Sequence, residues 1–403
     1  MSAYADLSAE QQKMVDRLLT ETEAAGGLAP LDLETFWREN ELARQNPFGR
    51  DIPHCAFGAY VTHECVYDEL GIEEDYYRFE HDEPWAMELS KRYNDLAEKV
   101  VGRRMLREKA RDPERAWPRT RELYDIFEAD NSWVGGPKGS WWLSQSADSQ
   151  EELAALLDRV EKRLENLRDF LLPENWESEK KRLLALGETV PRYRGQRGPC
   201  TFACSIFGVE NTLMLFYDDP GLFRRFSEII GRAILARAQV LDAEAGHTPE
   251  TASRGWGWAD DNCCLFTPEM YEAFAMPIHR QVFGCYAPDP QDWRYQHSDS
   301  EMSHLLPLLG ELKLKANNFG PTVRADEIRR HMPDSAIHGQ LAPFTYSRNN
   351  GREMVAEFLR DFERVGDTRG LVFSGAGSIN NGSRLTGMRL MMAAVQRYGR
   401  YDG

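Results

Sequence analysis

No stretch of this sequence stays apolar for the roughly 20 residues that a membrane helix requires, and residues 1–12 lack a basic-then-apolar leader pattern. A membrane location is therefore not expected. Cationic excess is missing as well. With 49 Lys and Arg against 65 Asp and Glu, the formal charge is -16, which argues against nucleic-acid binding, because a phosphate backbone needs a basic footprint. Cysteine is sparse and odd in number: seven residues, without the spacing of a disulfide framework. That usage fits a reducing, cytoplasmic setting better than secretion. Internal repeats and low-complexity linkers are absent, so one large domain is the simplest organisation for 403 residues. The glycine-rich stretch 134–139 lacks the Gly-Lys-Ser/Thr ending of a phosphate loop.

What the chain does have is core material and aromatics: 42% of residues are hydrophobic and ten are tryptophan. One stretch, 292–301, stands out. Trp293, Tyr295 and His297 alternate with Arg294 and Gln296, the period-2 pattern of a short strand, and Ser298, Asp299, Ser300 and Glu301 follow. A strand that ends in a histidine and two acids puts titratable groups at its carboxyl edge, where alternating strand–helix barrels carry their chemistry. The plain alternative is a structural histidine, with Asp299 capping the next helix.

Around that stretch the chain alternates. Helices are expected over 8–25 and from Asp32 to about 43, and residues 52–60 read as a first buried strand. Residues 73–121 are charged and helix-rich, an insertion over the mouth of the fold. A second strand is read over 126–133, helices over 150–170 and 174–186, and a further strand with its loop over 198–207. Asp218-Asp219-Pro220 starts a long helix, and Thr267-Pro268-Glu269 starts another with a cap, an early proline and an acid in the first turn. Strands at 256–260, 313–319, 336–341 and 371–374 alternate with helices to residue 398. About eight strands in this rhythm favour a closed α/β barrel. The expected organisation is an N-terminal helical extension over 1–45 and a single (β/α)8 TIM barrel over 46–403.

Several pieces in the second half resemble the uroporphyrinogen decarboxylase superfamily. Gly198-Pro199-Cys200-Thr201, with Phe207-Gly208-Val209-Glu210 and Tyr217-Asp218-Asp219-Pro220, is similar to its glycine-proline loop and helix start. Asp260-Asp261 followed by Thr267-Pro268-Glu269-Met270-Tyr271 resembles its aspartate pair and the helix after it. Gly339-Gln340-Leu341-Ala342-Pro343 and Gly375-Ala376-Gly377 resemble its later strand ends. The resemblance implies a TIM barrel, makes a homodimer reasonable, and offers two chemistries. True decarboxylases hold a tetrapyrrole with an aspartate and arginines. Their N-terminal signature is matched only weakly by Glu41-Leu42-Ala43-Arg44-Gln45, and the histidine of their last turn is Ala376 here; Asp130 stands where their catalytic aspartate would. The corrinoid-linked methyltransferases bind zinc through a His-x-Cys pair and a cysteine in the last turn. Here those positions read His297-Ser298-Asp299 and Ala376, so a zinc–thiolate site cannot form unchanged.

A different metal site is open to the chain. His297, Asp299 and Glu301 lie on one strand end with Asp260 or Asp261 on the neighbouring one, and such nitrogen and oxygen donors suit zinc, manganese or iron. Cys263 and Cys264 are adjacent, a poor chelate spacing. Tyr60, Asn317, Asn318, Gln340 and Ser374, at other strand ends, would orient a substrate's polar edge. Trp256, Trp258 and Trp293 would stack on its body, with core filling expected for at least one of the three. His338 reads as a packed histidine. The leading expectation is an enzyme that moves a methyl group from a small methoxylated, methylthio or methylamine substrate to a corrinoid protein or a thiol, with His297 and Asp299, together with Asp261, as metal ligands or acid–base pair. The alternatives are a cofactor-free carboxy-lyase for an aromatic or pyrrolic acid, with Asp130 or Asp261 relaying the proton, and a non-catalytic tetrapyrrole or corrinoid binder.

Overall fold

Helix caps fix much of this molecule locally. In the computed structural model, which describes residues 2–401, Ser8 accepts from the N–H of Gln11 and the Gln11 side chain returns to Ser8, opening helix Ala9–Ala24 with a capping box. Asp32 caps helix Leu33–Gln45. Asp219 takes the N–H groups of Gly221 and Leu222 to start helix Pro220–Glu244, and Thr267 takes that of Met270 to start helix Pro268–Tyr286. Among the described residues no single helix is long and apolar enough to cross a membrane.

Nine strands form among the described residues: β1 (Ala56–Phe57), β2 (Asn131–Val134), β3 (Ser140–Leu143), β4 (Gly195–Arg197), β5 (Trp256–Ala259), β6 (Arg294–Ser298), β7 (Ala316–Phe319), β8 (Ala336–Leu341) and β9 (Leu371–Gly375). The chain is an α/β protein with parallel sheet, and it divides into two compact units. One runs to Ala110 and takes in Asp299–Ser303 and the chain from Ala316 onward; the other comprises Arg111–Ser298 and His304–Lys315.

In the first unit the strands lie parallel in the order β1-β9-β8-β7. Helices Gly351–Val365 and Leu385–Tyr398 bury their apolar faces in this unit, and Ala43, Ile52, Ala56 and Val372 form a cluster closed by Tyr401. Of residues 73–121, those to Ala110 supply helices Tyr76–His81 and Glu83–Val101 to this unit, and the short turn Pro113–Arg115 belongs to the other. One buried acid in this unit has a measurable consequence. Glu357 accepts from the Ala342 N–H at 2.7 Å and from the Thr345 hydroxyl at 2.6 Å. Burial pushes its carboxyl up to about 7, outweighing those bonds. Because the folded value lies above the unfolded one of about 4.3, its contribution to stability is full below about pH 4 and lost as pH rises through 7. The gap in unfolding free energy between the protein and Glu357→Gln should therefore shift against the parent by about 3 kcal/mol from pH 4 to pH 8. Taking the difference in urea titrations cancels the other groups, including His338, whose buried imidazole is pushed down to about 4 and acts in the opposite sense. A pH-independent gap would contradict the buried carboxylate.

In the second unit β4, β5 and β6 run parallel in that order. Helix Pro220–Glu244 packs on Pro268–Tyr286, and their buried residues are mostly apolar, with Ser227, Arg237, Asp242, Glu244 and His279 the polar members. Two expected strands are corrected here. Residues 199–207 form a helix, Pro199–Phe207, with seven of its nine residues buried. An apolar run without a polar face has no periodicity to separate helix from strand. The strand is the preceding Gly195–Arg197. Residues 126–133 do not form a strand of the parallel sheet either. Helix Leu123–Ile126 leads into β2, which pairs antiparallel with β3 as a hairpin, and the glycine-rich stretch is its loop.

Candidate functional site

Parallel strands in register end at the same level. The pairing of β4, β5 and β6 sets Arg197 beside Ala259, and Ala259 beside His297. Along β6 the alternation buries Gln296 and Ser298 and leaves Tyr295 and His297 reachable. Asp261 opens the turn directly after β5, and its Oδ1 lies 3.7 Å from His297 Nε2, with the two side chains 39% and 24% exposed. That separation is too long for a hydrogen bond and close to the roughly 3.4 Å between two ligands of one tetrahedral metal ion. Asp299 follows His297 by two residues in the chain.

The aspartate pair divides its labour. Asp260 is fully buried; its Oδ1 accepts from the Thr201 N–H at 2.8 Å. The Thr201 hydroxyl accepts from the Asn262 N–H at 2.9 Å. The start of helix Pro199–Phe207 is thus tied to the end of β5, and Gly198 makes the approach possible, since a Cβ there would stand 2.1 Å from that of Asp260. Burial pushes the Asp260 carboxyl up to about 6 despite the backbone donors around it. Asp260 is therefore the anchor, and Asp261 is the member that solvent and His297 meet.

Within the other unit, Asp299 lies against the last glycine turn. A Cβ on Gly377, whose φ is +107°, would come within 2.7 Å of the Asp299 Cβ. Asn318 fixes that turn, donating to the carbonyls of His338 and Gly375 and accepting from the Gly377 N–H. Gln340 donates to Gly320 and Val323, and Asn317 to the Ser335 hydroxyl. The three amides expected to meet substrate direct these donors at the protein itself. Tyr60 is 56% exposed, and Ser374 is half-buried near the end of β9.

The tryptophans of β5 are core. Trp256 packs on Tyr193 and Tyr286, and Trp258 on His279 and Phe283; both are at most 2% exposed. Trp293 is exposed and stacks on Tyr295. Glu301 is not a member of the ligand cluster found among the described residues; the chain turns after β6, and its carboxylate accepts from the Ser303 N–H at 3.0 Å. Asp130 follows a helix rather than a sheet strand and closes the base of the hairpin, exchanging bonds with Ser144. Cys263 is buried, and burial pushes its thiol far up, as it does for Cys200. A thiolate is unfavourable at either position. Arg197, level with His297 on β4, escapes a reading that places the strand after Gly198.

The donor set fits a divalent transition metal. The imidazole nitrogen of His297 and the Asp261 carboxylate oxygen, 3.7 Å apart, suit zinc, manganese or iron. It does not fit the thiolate site of a methyl-accepting zinc centre, since Asp299 and Ala376 stand at the two cysteine positions. Parallel α/β folds with a histidine–carboxylate cluster at a strand's carboxyl edge are a class of enzyme scaffold. Within that class the sequence is specific: the model of the family described as "Uroporphyrinogen decarboxylase (URO-D)" matches residues 159–398, more than half of the chain, and the protein belongs to this family of enzymes. No curated protein matches the sequence. Among solved structures, a methyltransferase from Methanosarcina mazei is similar in fold, with a TM-score of 0.54 at 14% identity, over 89% of this chain and 98% of that one.

Proposed function

We propose that this protein transfers a methyl group from a small methylated substrate to a corrinoid protein or a thiol, on a (β/α)8 barrel whose closure the family implies. Asp261 and His297, 3.7 Å apart, carry the reading, and Asp299, two residues on in the chain, is the third ligand of the proposal. The likeness in fold to a methyltransferase supports it. A divalent metal held by those three residues would polarise the methyl-bearing heteroatom or the acceptor, a Lewis-acid role open to nitrogen and oxygen ligand sets. The chain's own residues position and screen. Gly198 and Asp260 hold the Asp261 turn in place. Asp261 faces His297 Nε2 at 3.7 Å, the separation of two ligands that would share the ion; without the ion, the same Nε2 would serve to take or return a proton. A homodimer and a cytoplasmic setting complete the proposal.

A second reading, cofactor-free decarboxylation of an aromatic or pyrrolic acid, is favoured by the carboxylate and alanine at the two cysteine positions. It would use Asp261 as the proton relay.

The two readings separate in one assay. The protein is incubated with methoxylated and methylthio aromatics plus a free corrinoid or a thiol acceptor, and methylated acceptor is followed by mass spectrometry. Turnover is expected to fall by about a hundredfold or more in His297→Ala and in Asp261→Asn, the scale of losing one positioned acid–base or ligand group. Methyl transfer that survives both changes, or carbon dioxide release without it, would remove the first reading.

A further inference from the structure

The edge that carries His297 continues through Ala259 to Arg197. Arg197 opens onto a cavity of about 370 Å³ lined also by Gln196, Asn131, Tyr124, Trp141 and Phe202. Solvent reaches Arg197, yet the protein gathered around it lowers its pKa, an effect opposed by the nearby Asp261. A cation that is both accessible and surrounded sits in a concave place. Its guanidinium has five N–H donors, and the bond to the Ser205 hydroxyl at 3.1 Å uses one of them. Glu122, the acid at the rim, is engaged by Arg237 at 2.7 Å. The remaining polar groups in the lining are neutral, and the walls are flat: the Tyr124 ring, the Phe202 ring and the Trp141 indole, 43% exposed on β3.

We propose that this cavity is the subsite for a carboxylate borne on an aromatic ring, with Arg197 holding the carboxylate and Trp141 covering the ring. Arg is suited to the task because its planar fork matches two carboxylate oxygens. The strands carrying Arg197 and His297 are two spacings apart, about 10 Å. A ring anchored at Arg197 would extend its far substituent toward His297 and Asp261. This placement of the substituent rests on the proposed methyl transfer; the anion subsite itself does not. The substrate class becomes a methoxylated or methylthio aromatic acid in place of a neutral arene or a methylamine.

Benzoate and benzamide are the probes, titrated calorimetrically into the full-length protein after chelator treatment, so that metal content plays no part. Benzoate should bind about tenfold or more tightly than benzamide, the worth of a charge-assisted bond in a partly desolvated site. Arg197→Gln should abolish that preference, Arg197→Lys should keep part of it, and Trp141→Ala should weaken both probes together. Equal binding of the two probes by the parent, or a preference unchanged in Arg197→Gln, would overturn the assignment. Loss of methyl transfer with benzoate binding intact would instead strike the proposed reaction and leave the subsite standing.

Discussion

Purified protein is expected to hold about one equivalent of a divalent transition metal, and His297→Ala to hold little after the same dialysis. Asp261 and His297, 3.7 Å apart, are the core of a small ligand set, and removing its single imidazole leaves only carboxylates in water. Disturbing a group that merely supports a metal ligand costs roughly 10- to 100-fold in affinity, so removing a ligand should cost at least about 100-fold. The change should leave the fold largely alone, because the His297 side chain is only partly buried; substitutions at such positions usually shift stability by about 0.5 kcal/mol. Glu301→Gln is the informative control. Glu301 lies two residues beyond Asp299 and outside the cluster, so that variant should keep its metal. Elemental mass spectrometry on the three proteins reads the result directly. No metal in the parent would sink the metal-assisted reading, leaving His297 as an acid–base group and favouring the lyase. Metal lost equally from both variants would mean that the ligand set is not the one gathered at Asp261, His297 and Asp299.

How far the sequence reaches depends on whether the deciding physics is local. Ser8, Asp32, Asp219 and Thr267 start helices through hydrogen bonds to residues two or three positions on, and such caps can be read without tertiary knowledge. Strand 336–341 also falls where the pattern places it. Helix Pro199–Phe207 does not, because burial on all sides erases periodicity. The strand before it, Gly-Gln-Arg, has no strand-like composition and is a strand through its pairing with β5. The site shows the same division. His297 and Asp299 follow from alternation within one segment. The choice between Asp260 and Asp261 does not, since it is made by Gly198 and Thr201, about sixty residues earlier. Trp256 and Trp258 show the limit from the other side: their residue type suits stacking on a ligand, but helix Pro268–Tyr286 supplies Tyr286, His279 and Phe283 to cover them. Each such ring buries enough surface to contribute roughly 4–6 kcal/mol before entropy, ample reason for a tryptophan to lie in the core.

Gly198→Ala should be among the most damaging small changes in the molecule. The added methyl carbon would stand 2.1 Å from the Asp260 Cβ and 2.3 Å from its Cγ, whereas carbon atoms settle at about 3.5–4.0 Å. Neither atom can swing away. The new carbon is bonded to the Gly198 backbone, and the Asp260 Cβ is bonded to its own. Relief therefore requires the two backbones to part by more than an ångström. They are tied by the Gly198 N–H to Ala259 carbonyl bond at 2.6 Å, and by the Thr201 N–H on the Asp260 carboxylate. Overpacking a tight core costs about 1–3 kcal/mol and occasionally more. A clash between two backbone-anchored atoms belongs at or beyond the top of that range, a large share of the stability of an ordinary domain. Gly246→Ala is the matched comparison. Its φ is +79° with nothing within 4 Å, so only the left-handed backbone is penalised, by about 1–2 kcal/mol. Urea midpoints should therefore fall much further for Gly198→Ala than for Gly246→Ala. Because Asp261 is the next residue after Asp260, metal content should fall with the first variant and hold in the second. A Gly198→Ala protein as stable as the parent would mean that the start of helix Pro199–Phe207 does not rest on Asp260, and the anchoring of Asp261 would need another source.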